Sequence, residues 1–176
     1  MDSRPAPIAL LVASWGVLGV LALLFQALWR LTPIALQPLI DGGLDGLQVT
    51  LYAGWVAFNA YAEGYRGFQR SFAPRVVARA FYLGRHRRPL HVLLAPAFCM
   101  SLFHASRRGR IVAWSVLLGV IVLVTLVRQL PQPWRGIVDA GVVVGLAWGA
   151  AAIMVIFARA ALGRLPAADL QLPAER

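Results

Sequence analysis

The chain has 176 residues, of which 60% are hydrophobic and 14% charged. A soluble domain carries about 25% charged residues, so this composition excludes a globule coated with polar side chains and predicts an integral membrane protein. The formal net charge is +10, yet all 17 basic residues are arginines that flank apolar runs and no nucleic-acid motif is present; this excludes nucleic acid as a partner and makes the arginines markers of membrane sidedness.

The first span is expected at 8–29, about 33 Å at 1.5 Å per residue and enough to cross a hydrocarbon core. Its exit is bulky (Phe25, Leu28, Trp29), so it reads as a retained anchor and not a cleaved leader. Gly16, Gly19 and Ala22 form a narrow groove that another helix can enter. Residues 31–46, with Pro33, Pro38, Gly42, Gly43 and Gly46, read as a loop. The second span, 47–65, is less hydrophobic and carries a stripe of small residues at Ala53, Ala57, Ala60 and Gly64.

Residues 66–110 hold ten arginines and no acid. Within them, Arg75–Leu83 reads as an amphipathic helix started by Pro74 and stopped by Gly84. Arg75, Arg79 and Tyr82 would share its polar face, and the helix would lie flat in the membrane surface. Pro89–Ala105 is apolar but interrupted by Pro96 and bounded on both sides by arginine clusters. Crossing would put one cluster outside, so the run reads as a re-entrant or interfacial hairpin instead of a fifth span. The third span is expected at 111–128. The fourth, at 137–158, repeats glycine at Gly141, Gly145 and Gly149, a double small-xxx-small pattern that signals a tight helix–helix contact.

The fold expected is therefore all-α: a four-transmembrane-helix bundle with an amphipathic or re-entrant cytoplasmic segment between the second and third spans. It forms one domain over 1–165, followed by a flexible tail over 166–176. Three of the arginines, Arg30, Arg128 and Arg135, fall in the outer loops, and the remainder fall inside. That asymmetry places both termini in the cytoplasm. The stretches Tyr61–Gly67 (YAEGYRG), Phe68–Ala80 (FQRSFAPRVVARA) and Arg128–Gly145 (RQLPQPWRGIVDAGVVVG) resemble a group of uncharacterised small membrane proteins of proteobacteria. The resemblance implies a bacterial inner membrane and carries no activity with it.

One polar constellation stands out. Gln48, Tyr52, Asn59, Glu63, Arg66 and Arg70 fall on one stripe of an α-helix. Read functionally, Asn59, Glu63, Arg66 and Arg70 line a pocket for an anionic head group or pass a proton through Glu63. Read structurally, Glu63 pairs with Arg66 and Asn59 bonds a neighbour. Arg75 and Arg79 extend the set of lipid-contacting candidates. Asp139, two residues into the fourth span, reads as a helix-start anchor paired with Arg135. His91 and His104 approach if the apolar run folds back, which raises haem or metal as a minor reading. No cofactor or metal site is expected, because no haem-attachment cysteines and no accompanying carboxylate are present. Cys99 stands alone, so no disulfide within the chain and no four-thiolate site can form. No phosphate-binding loop, zinc-protease motif or nucleophile elbow occurs. The leading expectation is a non-enzymatic accessory, scaffold or anionic-lipid-contacting protein that packs, and forms oligomers, through its glycine faces. The rival is a small transporter or lipid-active enzyme using Glu63, Arg66 and Arg70.

Overall fold

A computed structural model describes residues 6–86 and 88–172. Among them every regular element is helical. In chain order these are α1 (Pro7–Ile40), α2 (Gly46–Asn59), a π-helical segment (Ala60–Phe72), α3 (Ala73–Arg85), α4 (Pro89–Leu93), α5 (Ala95–Cys99), α6 (Arg107–Val127) and α7 (Trp134–Ala161). Three helices, α1, α6 and α7, are long and apolar enough to cross a membrane.

Helix α1 runs eleven residues past the exit expected for the first span and continues through Pro33 and Pro38. A proline inside a helix removes the hydrogen bond to the carbonyl four residues back. Here Gln132 Nε2 donates to the Ile34 carbonyl that Pro38 cannot reach, at 3.4 Å. Tyr52 Oη donates to the Ala35 carbonyl at 3.0 Å, and the Pro38 ring packs on Gly136 of α7. The Gln132 side chain thus serves the carbonyl that Pro38 leaves open. The expected loop shrinks to residues 41–45. Asp45 and Gln48 then close it with a reciprocal capping box, Gln48 N donating to Asp45 Oδ1 at 2.7 Å and Asp45 N to Gln48 Oε1 at 3.1 Å.

Helix α2, the π segment and α3 follow one another without a break from Gly46 to Arg85. In the π segment the backbone bonds reach five residues back: the Ala73 N–H donates to the Phe68 carbonyl. The wider turn changes which residues share a face. Asn59, Gly64, Ala73 and Val77 are buried and Phe68 half-buried, a spacing of five, four, five and four. All of them lie on the side toward the rest of the bundle.

Helices α1 and α7 flank this long element. Toward one end Tyr52 meets α1 at Ala35, and Trp55 Nε1 donates to Val138 of α7 at 3.3 Å. Toward the other end Gly84 abuts Ala9, and Phe81 packs on Phe157 with ring centroids 5.8 Å apart. The long element therefore runs parallel to α7 and antiparallel to α1. The core sits in its second half, where Ala13, Val17, Val20 and Leu21 of α1, Ala73, Val76, Val77, Ala80 and Phe81 of α3 and its flank, Cys99, and Ala150, Ala152 and Ile153 of α7 are buried together.

Helix α3 is thus a correction. It does not lie flat with Arg75 and Arg79 outward. Val76, Val77 and Arg79 are each 0% exposed, because the helix is wedged against both α1 and α7. The apolar run after it forms α4 and α5, two five-residue helices broken at Leu94, and not one spanning helix. Helix α5 fills the groove that Gly16 and Gly19 open on α1. A methyl group at Gly16 would lie 2.9 Å from Cys99 Sγ, and one at Gly19 would run into the Pro96 ring. Helix α6 stands apart. From Arg110 to Leu126 none of its residues is buried, and it is tied in at its ends, at Gly109, Trp114 and Val127.

Candidate functional site

Asp41, Asp45, Arg128, Arg135 and Asp139 gather toward the end of the bundle where α1 finishes and α7 begins. The opposite end, formed by the start of α1, α3, the α4–α5 hairpin, the start of α6 and the finish of α7, is the arginine end. It carries Arg75, Arg79, Arg85, Arg88, Arg107, Arg108, Arg110, Arg159 and Arg164. Among the described residues one ion pair forms, Arg135 Nε to Asp139 Oδ2 at 3.7 Å. Among the described residues no carboxylate lies within 4 Å of an arginine of the arginine end.

The most buried of them is used internally. Arg79 Nε donates to the Phe98 carbonyl at 2.7 Å, Nη1 to Leu170 at 2.6 Å, and Nη2 to Phe103 at 3.3 Å and His104 at 3.1 Å. Its guanidinium also lies over the Phe98 ring, 4.3 Å from the centroid. A fork of donors aimed at four carbonyls is a task for arginine and not for lysine. The loop it holds is strained: Ser101 and His104 adopt positive φ, +63° and +47°, and the Ser101 hydroxyl is buried without a partner.

The same guanidinium fixes the chain after α7. At Gly163 (φ +91°) the backbone turns back. The Ser106 N–H then donates to the Gln171 carbonyl at 2.6 Å, and Arg75 Nη1 to Gln171 Oε1 at 3.1 Å. Residues 166–172, expected to be a flexible tail, are held by Arg75, Arg79 and Ser106; 173–176 lie outside the described residues.

His91 and His104 do approach, with ring centroids 4.6 Å apart, packed among Phe98 and Phe103. Such rings leave no room for a porphyrin between them. Burial lowers the pKa of both, and the guanidinium groups of Arg88 and Arg79 add to the effect. Among the described residues no group of three metal-ligating side chains forms.

The polar stripe expected on the second span is divided. Gln48 is spent on the capping box and Tyr52 on the Ala35 carbonyl. Asn59 is buried and donates to the Trp55 carbonyl at 2.8 Å. Glu63 lies against α7, its Oε2 2.9 Å from where a methyl group at Gly145 would sit. The Glu63–Arg66 pair does not form, since residues three apart are no longer neighbours once the turn exceeds four residues. Arg66 and Arg70 instead share the exposed face, and the Arg70 guanidinium lies 4.9 Å from the Tyr65 ring centre. Gln69 accepts from Trp148 Nε1 at 2.7 Å.

Gly141, Gly145 and Gly149 of α7 all face the long element. Gly141 meets Trp55 and Asn59, Gly145 meets Glu63, and Gly149 meets the Phe68 ring. Their partners belong to the same chain. Asp139 is 5% exposed and lies in the second turn of α7, not at its start, because the helix begins at Trp134. Arg79 as a carbonyl-binding hub escaped the sequence reading. Its only signal was an arginine flanked by Val76, Val77, Ala80 and Phe81 in a segment long enough to pack on two faces.

No protein-family model, curated protein or solved structure matches the chain.

Proposed function

We propose that this chain is a four-span protein of a bacterial inner membrane, with both termini and the arginine end on the cytoplasmic side. It acts as a non-enzymatic accessory or scaffold that holds anionic lipid head groups. The long element supplies the fourth crossing through α2, the π segment and α3, and the α4–α5 hairpin enters and leaves the inner leaflet on the same side. The observation that carries this reading is the set of arginines at one end with no carboxylate within 4 Å among the described residues. Each basic group beside an anionic leaflet contributes about 1 kcal/mol of attraction, and among the described residues no acid lies within 4 Å to compete for it. Exposed Leu90, Leu93 and Leu94 on the hairpin give the neighbouring arginines an apolar footing in the same leaflet.

Native mass spectrometry of the purified protein tests this directly. Phosphatidylglycerol is expected to stay bound in preference to phosphatidylcholine, and the preference is expected to fall in the triple variant Arg107→Gln, Arg108→Gln, Arg110→Gln. Equal retention of both lipids by the wild type would remove the proposal. Tags at either terminus that are reachable from outside intact cells would overturn its orientation.

A further inference from the structure

Arg66 and Arg70 sit at an unexpected depth. Between Asp139 and Arg159, α7 carries no charged residue from Ala140 to Ala158, roughly 27 Å at 1.5 Å per residue. Gly149 is the midpoint of that stretch, and it faces Phe68. Trp148, next to it, packs on Gly64 and bonds Gln69. Arg66 and Arg70 lie two residues to either side of Phe68. Both are therefore near the middle of the apolar stretch of α7, and both are exposed.

Ionisable groups at such depth face protein or water and take a partner. Among the described residues the chain supplies none within 4 Å. Glu63 has turned toward Gly145, and no carboxylate lies within 4 Å of either arginine. The π winding leaves Arg66, Arg70 and Ser71 exposed and turns Gly64 and Phe68 inward, while Glu63, itself exposed, lays its side chain against Gly145. Tyr65 supports Arg70 from beneath. A second copy would set Arg66 and Arg70 against the same two arginines.

We propose that this face docks a membrane-spanning helix of another protein that carries a carboxylate at mid-membrane depth. The inference rests on the reading that α7 and the long element cross the bilayer together. A buried guanidinium–carboxylate contact is directional and charge-assisted, so it would fix both the depth and the rotation of the incoming helix.

The probe is a synthetic polyleucine transmembrane helix with one central Glu, compared with its Gln counterpart. Association with the full-length protein is followed by energy transfer in phosphatidylcholine vesicles. The Glu helix is expected to bind about tenfold more tightly than the Gln helix, and the advantage is expected to vanish in Arg66→Leu, Arg70→Leu. Both positions are exposed, so thermal stability of that variant should match the wild type. Equal binding of the two helices overturns the proposal. So does loss of the Glu advantage on adding phosphatidylglycerol, which would assign the arginines to lipid head groups. Self-association that needs the two arginines would assign the face to a second copy instead. Protein that fails to co-float with the vesicles would mark a failure of the membrane reading itself.

Discussion

Helix α3 and helix α6 reverse the usual relation between hydropathy and burial. Helix α3 carries Arg75, Arg79 and Arg85 in thirteen residues, and its Val76, Val77, Arg79 and Ala80 are fully buried. Twelve of the 21 residues of helix α6 are valine, leucine or isoleucine, and no residue from Arg110 to Leu126 is buried. In water this would be an inverted molecule. In lipid it is the stable arrangement. Hydrocarbon solvates the side chains of α6 as well as protein would, so nothing drives that helix inward. The donors and carbonyls around Arg79 find no partner in hydrocarbon and must be enclosed by protein.

That comparison can be broken most sharply at Arg79. Arg79→Met should cost about 3–5 kcal/mol, since it strands the carbonyls of Phe98, Phe103, His104 and Leu170. Thermal unfolding in detergent would show it, and limited proteolysis should begin at the chain after α7. Arg79→Lys should recover only a minor part, because an ammonium cannot form the fork. A variant as stable as the wild type would show that the hub contributes nothing.

Glycine-to-leucine changes on α7 come next. Gly149→Leu drives a side chain into the Phe68 ring, and Gly145→Leu into Glu63. Overpacking of this kind costs about 1–3 kcal/mol, with Gly149 the worse of the two, because a ring hemmed in by helices yields less than the carboxylate end of Glu63. The check is the ratio of folded to aggregated protein on gel filtration after graded heating.

The hairpin should weaken with acid. Burial depresses the pKa of His91 and His104 in the folded state below the ordinary 6.5, so the unfolded hairpin binds more protons in that window. Stability is then complete above about pH 6.5 and falls as the pH drops through that value toward the lower folded pKa. Hydrogen exchange of 89–106 should quicken at pH 5.5 relative to pH 7.5, and Gln at both positions should flatten the difference.

The smallest effect belongs to α6. Leu118→Ala should change stability by no more than about 0.5 kcal/mol, because the side chain is exposed. A loss as large as a core truncation would mean that α6 is packed against something beyond this chain.

Several elements were legible for local reasons. The apolar runs of α1, α6 and α7 exceed the length needed to cross, and the glycines of α7 recur on one face whatever they meet. The extension of α1 past Pro33 and Pro38 was not legible, because Gln132 and Tyr52, far away in sequence, serve the carbonyls near Pro38. The polar stripe failed at Glu63 for a related reason. Its spacing assumed α-helical turns, whereas the five-and-four rhythm of Asn59, Gly64, Phe68, Ala73 and Val77 belongs to the wider winding. Asp139 likewise moved from a helix start to a second turn once Trp134 began the helix.

Composition and periodicity alone determined that the chain is helical and apolar enough for lipid, and that its arginines lie mostly toward one end. These follow from side-chain transfer energies and need no knowledge of neighbours. Which arginine is enclosed, which glycine meets which ring, and which polar face is left without a partner were decided by tertiary structure. Each depends on groups tens of residues apart arriving at the same depth, and on a change of helical winding that rotates Arg66 and Arg70 away from Glu63.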